Sequence, residues 1–255
     1  MKPWIDRKIL ETEAEGFVKR NGYFLRTHAA RISGLVEVAV YNSVVSFYEA
    51  QEYKLNVLFP GPKKSFVYRL KSSGLITGFS CFEAVHMTTG ETVLILQNVK
   101  LQSAHDDHLY YTPDIVVCSP SGAITAEQKN GRRHSYVSKD GVLTFVEVKH
   151  LIPSPELLFS FSGLVLEFAP DFIAGCIATT RRAGHLTPIL VFTGVPSEHS
   201  ERIAQSLTKR YGVNIIFCTQ KTEGRIASFT ELNKYRKSQQ SALPVTVTND
   251  PQTGL

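Results

Sequence analysis

The C-terminal third of the sequence alternates between patterns typical of strands and patterns typical of helices. Short runs rich in Val, Ile and Phe predict strands, and the longer segments between them predict helices, the second opened by Ser197 and closed at Gly212. The segments are strand 142–148, helix 155–168, strand 188–193, helix 197–211 and strand 213–218. Strands joined by helices pair in parallel within one sheet. The alternation therefore predicts an α/β fold with parallel pairing on this side of the sheet.

The N-terminal part of the chain has helical patterns. Apolar residues among Glu and Lys predict an amphipathic helix over 5–20, which ends at Asn21-Gly22. Within 32–53, residues spaced by four, three and four would line one face of a second helix. These residues are Glu37, Tyr41, Val44 and Tyr48. The β-branched residues of 36–45 would also suit a strand, so this alternative stays open.

The middle of the chain has strand patterns. The predicted strands are 81–87, 92–101 and 111–118, and the first two flank a turn at 88–91 and form a hairpin. A polar, basic insertion over 127–139 separates strand 111–118 from strand 142–148. The last residues, 234–255, are mostly Lys, Ser, Gln, Thr, Pro and Asn, and this composition predicts a flexible polar tail.

Composition excludes several classes of protein. The chain is 43% hydrophobic and 20% charged, which fits neither a fibrous nor a disordered protein. An apolar leader and an uncharged apolar run of about 18 residues are both absent, so we expect a cytoplasmic protein that does not insert into membranes. The 4 cysteines form no CxxC pair, which predicts reduced thiols rather than a zinc site. The net charge of +5 permits an anionic partner.

Two polar positions stand out within the apolar strands. Asp114 precedes the run of strand 111–118, and Glu147 follows 33 positions later, two residues before Lys149. Residues two apart in a strand share a face, so Glu147 and Lys149 point the same way while Val146 and Val148 face a core. If the two strands are neighbours, Asp114 and Glu147 converge and offer the oxygen ligands that Mg²⁺ or Mn²⁺ prefers.

Two carboxylates beside an amine suit the hydrolysis of a phosphodiester. A divalent metal held by the carboxylates would bind the scissile phosphate and lower the pKa of an attacking water. The ammonium of Lys149 would orient that water or stabilise the charge of the transition state, or the neutral amine would act as a base. The sequence leaves these roles open.

At these residues the chain resembles the PD-(D/E)xK nuclease superfamily. Pro113-Asp114 matches the PD half of its motif and Glu147-Val148-Lys149 the ExK half, within a resemblance that covers residues 80–220. Transposon end-cleaving endonucleases and junction resolvases are similar at these positions. The resemblance implies a restriction-endonuclease-like fold, a mixed sheet with flanking helices built on an αβββαβ core. It also implies a metal-dependent endonuclease that hydrolyses DNA, with the carbonyl of Val148 as a further metal ligand.

The resemblance also implies an acidic residue from a helix that precedes the first motif strand. Glu37 is the first choice for it, and Glu83, which lies in a strand-like segment, is the alternative. We expect the nuclease-like domain to span 76–233 and the helical region 1–75 to contact DNA or a partner protein. A homodimer is also compatible with this interpretation.

Other interpretations of the same residues stay open. Glu147 and Lys149 would also suit an ion pair on a solvated sheet face, and the same fold can serve a non-catalytic nucleic-acid-binding or assembly subunit of a mobile-element or defence complex. The substrate could equally be RNA. The basic insertion either binds a nucleic-acid backbone or forms a solvated loop. Two basic and aromatic segments are further candidates for nucleic-acid contact. They contain Lys63, Lys64, Phe66, Tyr68, Arg69 and Lys71, and Arg181, Arg182 and His185.

Overall fold

A computed structural model describes residues 32–127, 131, 133–173 and 184–218. Its helices are α1 (Ile32–Ala50), α2 (Pro155–Phe168) and α3 (Glu198–Tyr211). Its strands are β1 (Tyr53–Leu58), β2 (Cys81–His86), β3 (Thr92–Gln97), β4 (Lys100–Gln102), β5 (Tyr110–Tyr111), β6 (Ile115–Cys118), β7 (Ala123–Glu127), β8 (Arg133–Val137), β9 (Val142–Lys149), β10 (Ile189–Phe192) and β11 (Asn214–Phe217). The predicted helix over 5–20 and the tail over 234–255 lie outside the described residues.

Seven strands form one mixed sheet in the order β1-β2-β3-β6-β9-β10-β11. Neighbours from β1 to β9 are antiparallel, whereas β9, β10 and β11 are parallel. The α/β class and the parallel pairing on the C-terminal side are therefore confirmed, as is the β2–β3 hairpin. The central strands have nearly continuous apolar sequences because helices cover both faces of the sheet.

Each face of the large sheet has its own core. On one face, Tyr41, Val44 and Tyr48 of α1 pack against Ile115 and Val146 of the central strands. On the other face, buried residues of α2 and α3 pack against Val116 and Phe145, and α2 begins at a Ser154 cap whose hydroxyl accepts a hydrogen bond from Leu157 N–H. The sheet is thus the middle of three layers, and the ends of its strands lie between the two helical layers.

Helix α1 forms although its sequence is rich in β-branched residues. Tyr41 and Val44 are fully buried, and the Tyr41 hydroxyl donates to the carbonyl of Ile95 at 2.8 Å. Burial against the sheet outweighs the differences in helix propensity, which are under about 1 kcal/mol per residue. Both α1 and β1 pack with strands that follow residue 75, so the boundary predicted there separates parts of one core.

Four short strands form a second sheet in the order β5-β4-β8-β7. Residues 133–137 of the basic insertion predicted over 127–139 form strand β8 of this sheet, which pairs with β7 and β4. Neither of the two open interpretations described it as a hairpin. Leu101 and Val137 of this sheet pack in the core on the α2 face, which places the second sheet beside that helix.

Two predicted strands divide between the sheets. The strand predicted over 92–101 ends at Gln97, because Asn98 takes a positive φ of 48° and the chain continues into β4. The strand predicted over 111–118 is interrupted at Pro113 and Asp114, so Tyr111 pairs with β4 and only Ile115–Cys118 joins the large sheet. Among the described residues, no helix is both long and apolar enough to span a membrane.

Candidate active site

The two motif strands are neighbours in the large sheet, as the sequence predicts. In the antiparallel pair β6–β9, Ile115 lies opposite Val146. Asp114 immediately precedes Ile115 and Glu147 immediately follows Val146. The two acids therefore lie at the same end of adjacent strands.

The pairing of β6 with β9 stops at Pro113 and Asp114. Extending the register by two residues places Pro113 opposite Val148, but proline has no N–H to donate to the Val148 carbonyl. The N–H of Val148 instead donates to Asp114 Oδ2 at 2.6 Å. Since the N–H and C=O of one strand residue point to the same edge, the Val148 carbonyl also faces this gap. The backbone thus presents an oxygen beside Asp114, where the sequence analysis expected a ligand.

Glu147 combines deep burial with an unpaired oxygen. The residue is 4% exposed, and its Oε1 accepts a hydrogen bond from the Lys149 ammonium. Its Oε2 is buried and has no hydrogen-bond partner among the described residues. A buried carboxylate oxygen without a partner is unfavourable, so this atom fits a cation ligand better than a packing role. The interpretation of Glu147 and Lys149 as a solvated surface pair does not agree with this burial.

The Asp114 carboxyl is held in an environment that opposes its charge. Burial is the largest cause, followed by the nearby charge of Glu147, and together they raise the pKa of Asp114 to about 8 from an ordinary 3.8. The Val148 hydrogen bond and Lys149 act in the opposite direction, and Glu37 adds to the rise. Repulsion between clustered carboxylates is what a bound divalent cation would relieve.

Of the two candidates for the additional acid, Glu37 is the one whose charge acts on Asp114. Burial raises the pKa of Glu37, a hydrogen bond from the Asn98 side chain lowers it, and the charges of Glu147 and Lys149 act on it as well. Glu83 lies on β2, where its Oε2 accepts from Asn56 Nδ2 at 3.2 Å. Strand β3 lies between β2 and β6, so Glu83 is separated from the cluster. Glu37 on helix α1 therefore stays the first choice for the additional acid.

Asn98 and Tyr111 lie next to the site, although neither was a candidate on the sequence alone. Asn98 donates its backbone N–H to the Asp114 carbonyl at 2.9 Å and its Nδ2 to the Arg69 carbonyl at 2.8 Å, which links the site to the loop before β2. Burial, the charge of Glu147 and a hydrogen bond with the Glu147 carboxylate raise the pKa of the Tyr111 phenol. An Asn directly after an apolar strand is a weak signal for the positive φ that Asn98 adopts.

The other sequence candidates lie elsewhere. Phe66 and Tyr68 pack against Tyr41 and Phe82 in the α1 core, and Arg69 is 2% exposed with its guanidinium on backbone carbonyls. The Arg69 side chain of this segment is therefore not open to a nucleic acid, whereas Lys63, Lys64 and Lys71 are exposed. His185 is likewise buried, and its ring nitrogens lie 3.2 Å from the Tyr48 hydroxyl and 3.1 Å from Glu91 Oε1. Arg181 and Arg182 lie outside the described residues.

The oxygen ligands of the site suit a hard divalent cation that takes few of its ligands from the protein. Within residues 32–127, 131, 133–173 and 184–218, no group of three or more His, Cys, Asp or Glu side chains is arranged to hold a metal. The predicted set does not require one, since it consists of Asp114, Glu147 and the Val148 carbonyl. Mg²⁺ commonly keeps several waters and takes only one or two carboxylates from the protein. The residues present therefore fit Mg²⁺ or Mn²⁺.

Comparison of the chain with protein-family models, with curated proteins and with solved structures finds no match. The resemblance at Pro113-Asp114 and Glu147-Val148-Lys149 therefore stands on the residues themselves. The functional argument rests on the geometry described above.

Proposed function

We propose that this protein is a metal-dependent endonuclease that hydrolyses DNA phosphodiester bonds on a restriction-endonuclease-like fold. The observation that carries the proposal is the buried, unpaired Glu147 Oε2 beside Asp114 and the Val148 carbonyl. The layered arrangement supports the fold, since α1, β3, β6, β9, α2 and β10 follow the αβββαβ order of the resemblance.

The site residues have distinct roles in this proposal. Asp114, Glu147 and the Val148 carbonyl would hold Mg²⁺ or Mn²⁺, which when bound lowers the pKa of water and offsets charge on the phosphate. Lys149 presents its ammonium beside Glu147 and stabilises the negative charge that develops on the phosphate oxygens. Glu37 increases the negative charge of the site and accepts from Asn98.

Cleavage assays with a paired acid control test the proposal. Supercoiled plasmid, linear duplex and single-stranded DNA are incubated with wild type, Glu147→Gln or Glu83→Gln in Mg²⁺, Mn²⁺ or EDTA. We expect cutting only with metal, its loss in Glu147→Gln, and wild-type rates in Glu83→Gln, whose carboxylate lies outside the cluster. Cutting in EDTA, or full activity of Glu147→Gln, would overturn the assignment.

Calorimetric titration with Mn²⁺ distinguishes an endonuclease from a non-catalytic subunit on the same fold. An endonuclease of this design binds Mn²⁺ through Asp114 and Glu147, and both Asp114→Asn and Glu147→Gln abolish the binding heat. An assembly or binding subunit on the same fold has no need of the metal. The absence of both cutting and Mn²⁺ binding would therefore favour that second interpretation.

A further inference from the structure

We infer that the outer face of the second sheet binds a single-stranded segment of the nucleic acid next to the site of cleavage. The feature that carries this inference is a cluster of three rings, Tyr110, His134 and Tyr136, hereafter the ring platform. The inference rests on the proposed function, because it names the form of substrate that the same site receives. It concerns binding rather than cleavage, so the two can fail separately.

The ring platform is built by strand alternation. Ser135 and Val137 of β8 are buried, so His134 and Tyr136 point to the opposite, outer face. Tyr111 of β5 packs towards Phe168 of α2, so Tyr110 points outward as well. All members of this face in the four strands are partly exposed. They are Lys100, Gln102, Tyr110, Ile124, Ala126, His134 and Tyr136.

The rings contact one another and leave aromatic surface at the solvent. The His134 and Tyr136 rings stack with centroids 5.6 Å apart and planes 18° apart. Tyr110 meets Tyr136 edge-on at 5.3 Å. Such contacts hold the side chains in place before a ligand binds, which lowers the entropic cost of stacking a further ring on them.

The charges around the ring platform favour a polyanion. Lys100 lies in register with Tyr136, belongs to the same outer face and is partly exposed. Asp107, whose charge acts on Tyr110, is paired with Lys139 at 2.8 Å, and this pair adds no net charge. Aromatic rings flanked by cations are the combination that binds unpaired bases together with their phosphates. In a duplex the faces of the bases are covered by their neighbours, so a single strand is the ligand that can use these rings.

The ring platform is connected to the candidate active site through β5. Tyr110 and Tyr111 are consecutive, and while Tyr110 belongs to the ring platform, the Tyr111 phenol lies in the field of Glu147 and Asp114. β5 is also the edge strand of the second sheet, so a polynucleotide can pass from the outer face over this edge. A nucleic-acid strand bound on the rings would thus continue towards Asp114 and Glu147.

Binding measured without metal tests the inference separately from cleavage. A fluorescein-labelled dT20 and a 20-base-pair duplex are titrated in EDTA by anisotropy. We expect wild type to prefer dT20, Tyr136→Leu to weaken dT20 binding about ten-fold, as is typical for loss of one base–aromatic stack, and Tyr136→Phe to restore it. Lys100→Ala should weaken binding and reduce its salt dependence. Arg202 is an exposed arginine on α3, and Arg202→Ala should change neither quantity.

The outcomes separate the two proposals. Equal binding of dT20 and duplex, or wild-type binding by a folded Tyr136→Leu protein, overturns the ring platform. If Tyr136→Leu fails to fold by circular dichroism, Tyr110→Leu and Lys100→Ala supply the same comparison. Preferential dT20 binding without metal-dependent cutting leaves the ring platform in place and rejects the nuclease. Metal-dependent cutting that is lost in Glu147→Gln, without a preference for dT20, supports the nuclease and rejects the ring platform.

Discussion

Asp114 accepts a hydrogen bond from the backbone N–H of Val148 across 2.6 Å, in place of the ladder bond that strand β6 would have provided. The extended register puts Pro113 opposite Val148, and Pro113 lacks the N–H that would donate to the Val148 carbonyl. The Asp114 side chain takes the Val148 N–H, and Pro113 offers no donor to the Val148 carbonyl. Both residues therefore contribute to ending the strand pair at this point.

Replacement of Asp114 by Asn should stabilise the metal-free protein at high pH. The pKa of Asp114 is raised from 3.8 to about 8, so its contribution to stability is fully present below about pH 4 and is lost as the pH rises through about 8. Asn still accepts from Val148 and carries no charge. In EDTA at pH 9 we expect Asp114→Asn to be more stable than wild type, by about 1.4 kcal/mol for each unit by which folding raises the pKa of Asp114.

Thermal unfolding in EDTA from pH 4 to pH 9 measures this difference. The wild-type and Asp114→Asn curves should coincide near pH 4 and diverge as the pH rises. Asp114→Ala serves as the control, since it also removes the charge but leaves the Val148 N–H without its acceptor, at a cost of about 1–3 kcal/mol. A constant difference at every pH would show that the charge of Asp114 is not opposed by its surroundings.

Replacement of Lys149 should slow cleavage without abolishing metal binding. Its ammonium pairs with Glu147 and is about one-third exposed, so it can reach a phosphate at the edge of the site. We expect Lys149→Gln to reduce the single-turnover rate about 100-fold, the size of effect seen when one transition-state donor is removed. Lys149→Arg should keep part of the rate if the group acts by its charge, because arginine cannot serve as a base.

Rates at saturating Mn²⁺, with Mn²⁺ titrations of each variant, check this prediction. The two roles left open for Lys149 give different results. Partial activity of Lys149→Arg supports electrostatic stabilisation, while complete loss in both variants, with intact Mn²⁺ binding, favours proton transfer by the amine. Equal rates for Lys149→Gln and wild type would remove Lys149 from the mechanism.

Glu37→Gln should affect cleavage, and Glu83→Gln should not. Gln at position 37 can still bond with Asn98 but removes a negative charge that acts on Asp114. We expect its cleavage rate at limiting Mg²⁺ to fall about 10-fold, because the site with one negative charge fewer binds Mg²⁺ more weakly. A 10-fold loss of affinity corresponds to about 1.4 kcal/mol. Titration of the rate with Mg²⁺ measures the shift. An equal shift in Glu83→Gln would show that the effect is not specific to the cluster.

The central acids and the lysine could be located from sequence because the signal is local. Strand alternation places Glu147 and Lys149 on one face, and the apolar runs around Asp114 and Glu147 indicate buried strands. The sequence left Glu37 and Glu83 as alternatives, and only the strand order shows that β3 lies between Glu83 and the strand that follows Asp114. That order depends on pairings between distant segments, which no local pattern records.

The second sheet was not predictable for a related reason. Strands β4 and β5 have 3 and 2 residues, too few for an alternation pattern to be visible. They are defined by their partners, as when Leu101 pairs with both Tyr111 and Val137. The roles of Asn98 and Tyr111 follow from this arrangement, because each lies where the chain passes from one sheet towards the other.

Gly194 should be required for the position of Lys149. The loops after β9 and β10 are joined by hydrogen bonds of 3.2 Å from Thr193 N–H to the Lys149 carbonyl and from Gly194 N–H to the Leu151 carbonyl. A Cβ at Gly194 would lie 2.5 Å from the Leu151 oxygen and 2.7 Å from the Ile152 Cα, so the backbone after Lys149 would have to move. We expect Gly194→Ala to lower stability by about 1–3 kcal/mol and, because small displacements of an active group are costly, to slow cleavage about 100-fold.

Gly163→Ala is the matched control for this change, since a Cβ at Gly163 on α2 meets nothing within 4 Å. In that helix, alanine should raise stability by about 0.5–1 kcal/mol and leave the rate unchanged. Urea unfolding and single-turnover cleavage, measured side by side for both variants, give the comparison. A Gly194→Ala protein with wild-type stability and rate would mean that the two loops can separate without displacing Lys149, and the link between this contact and the site would be rejected.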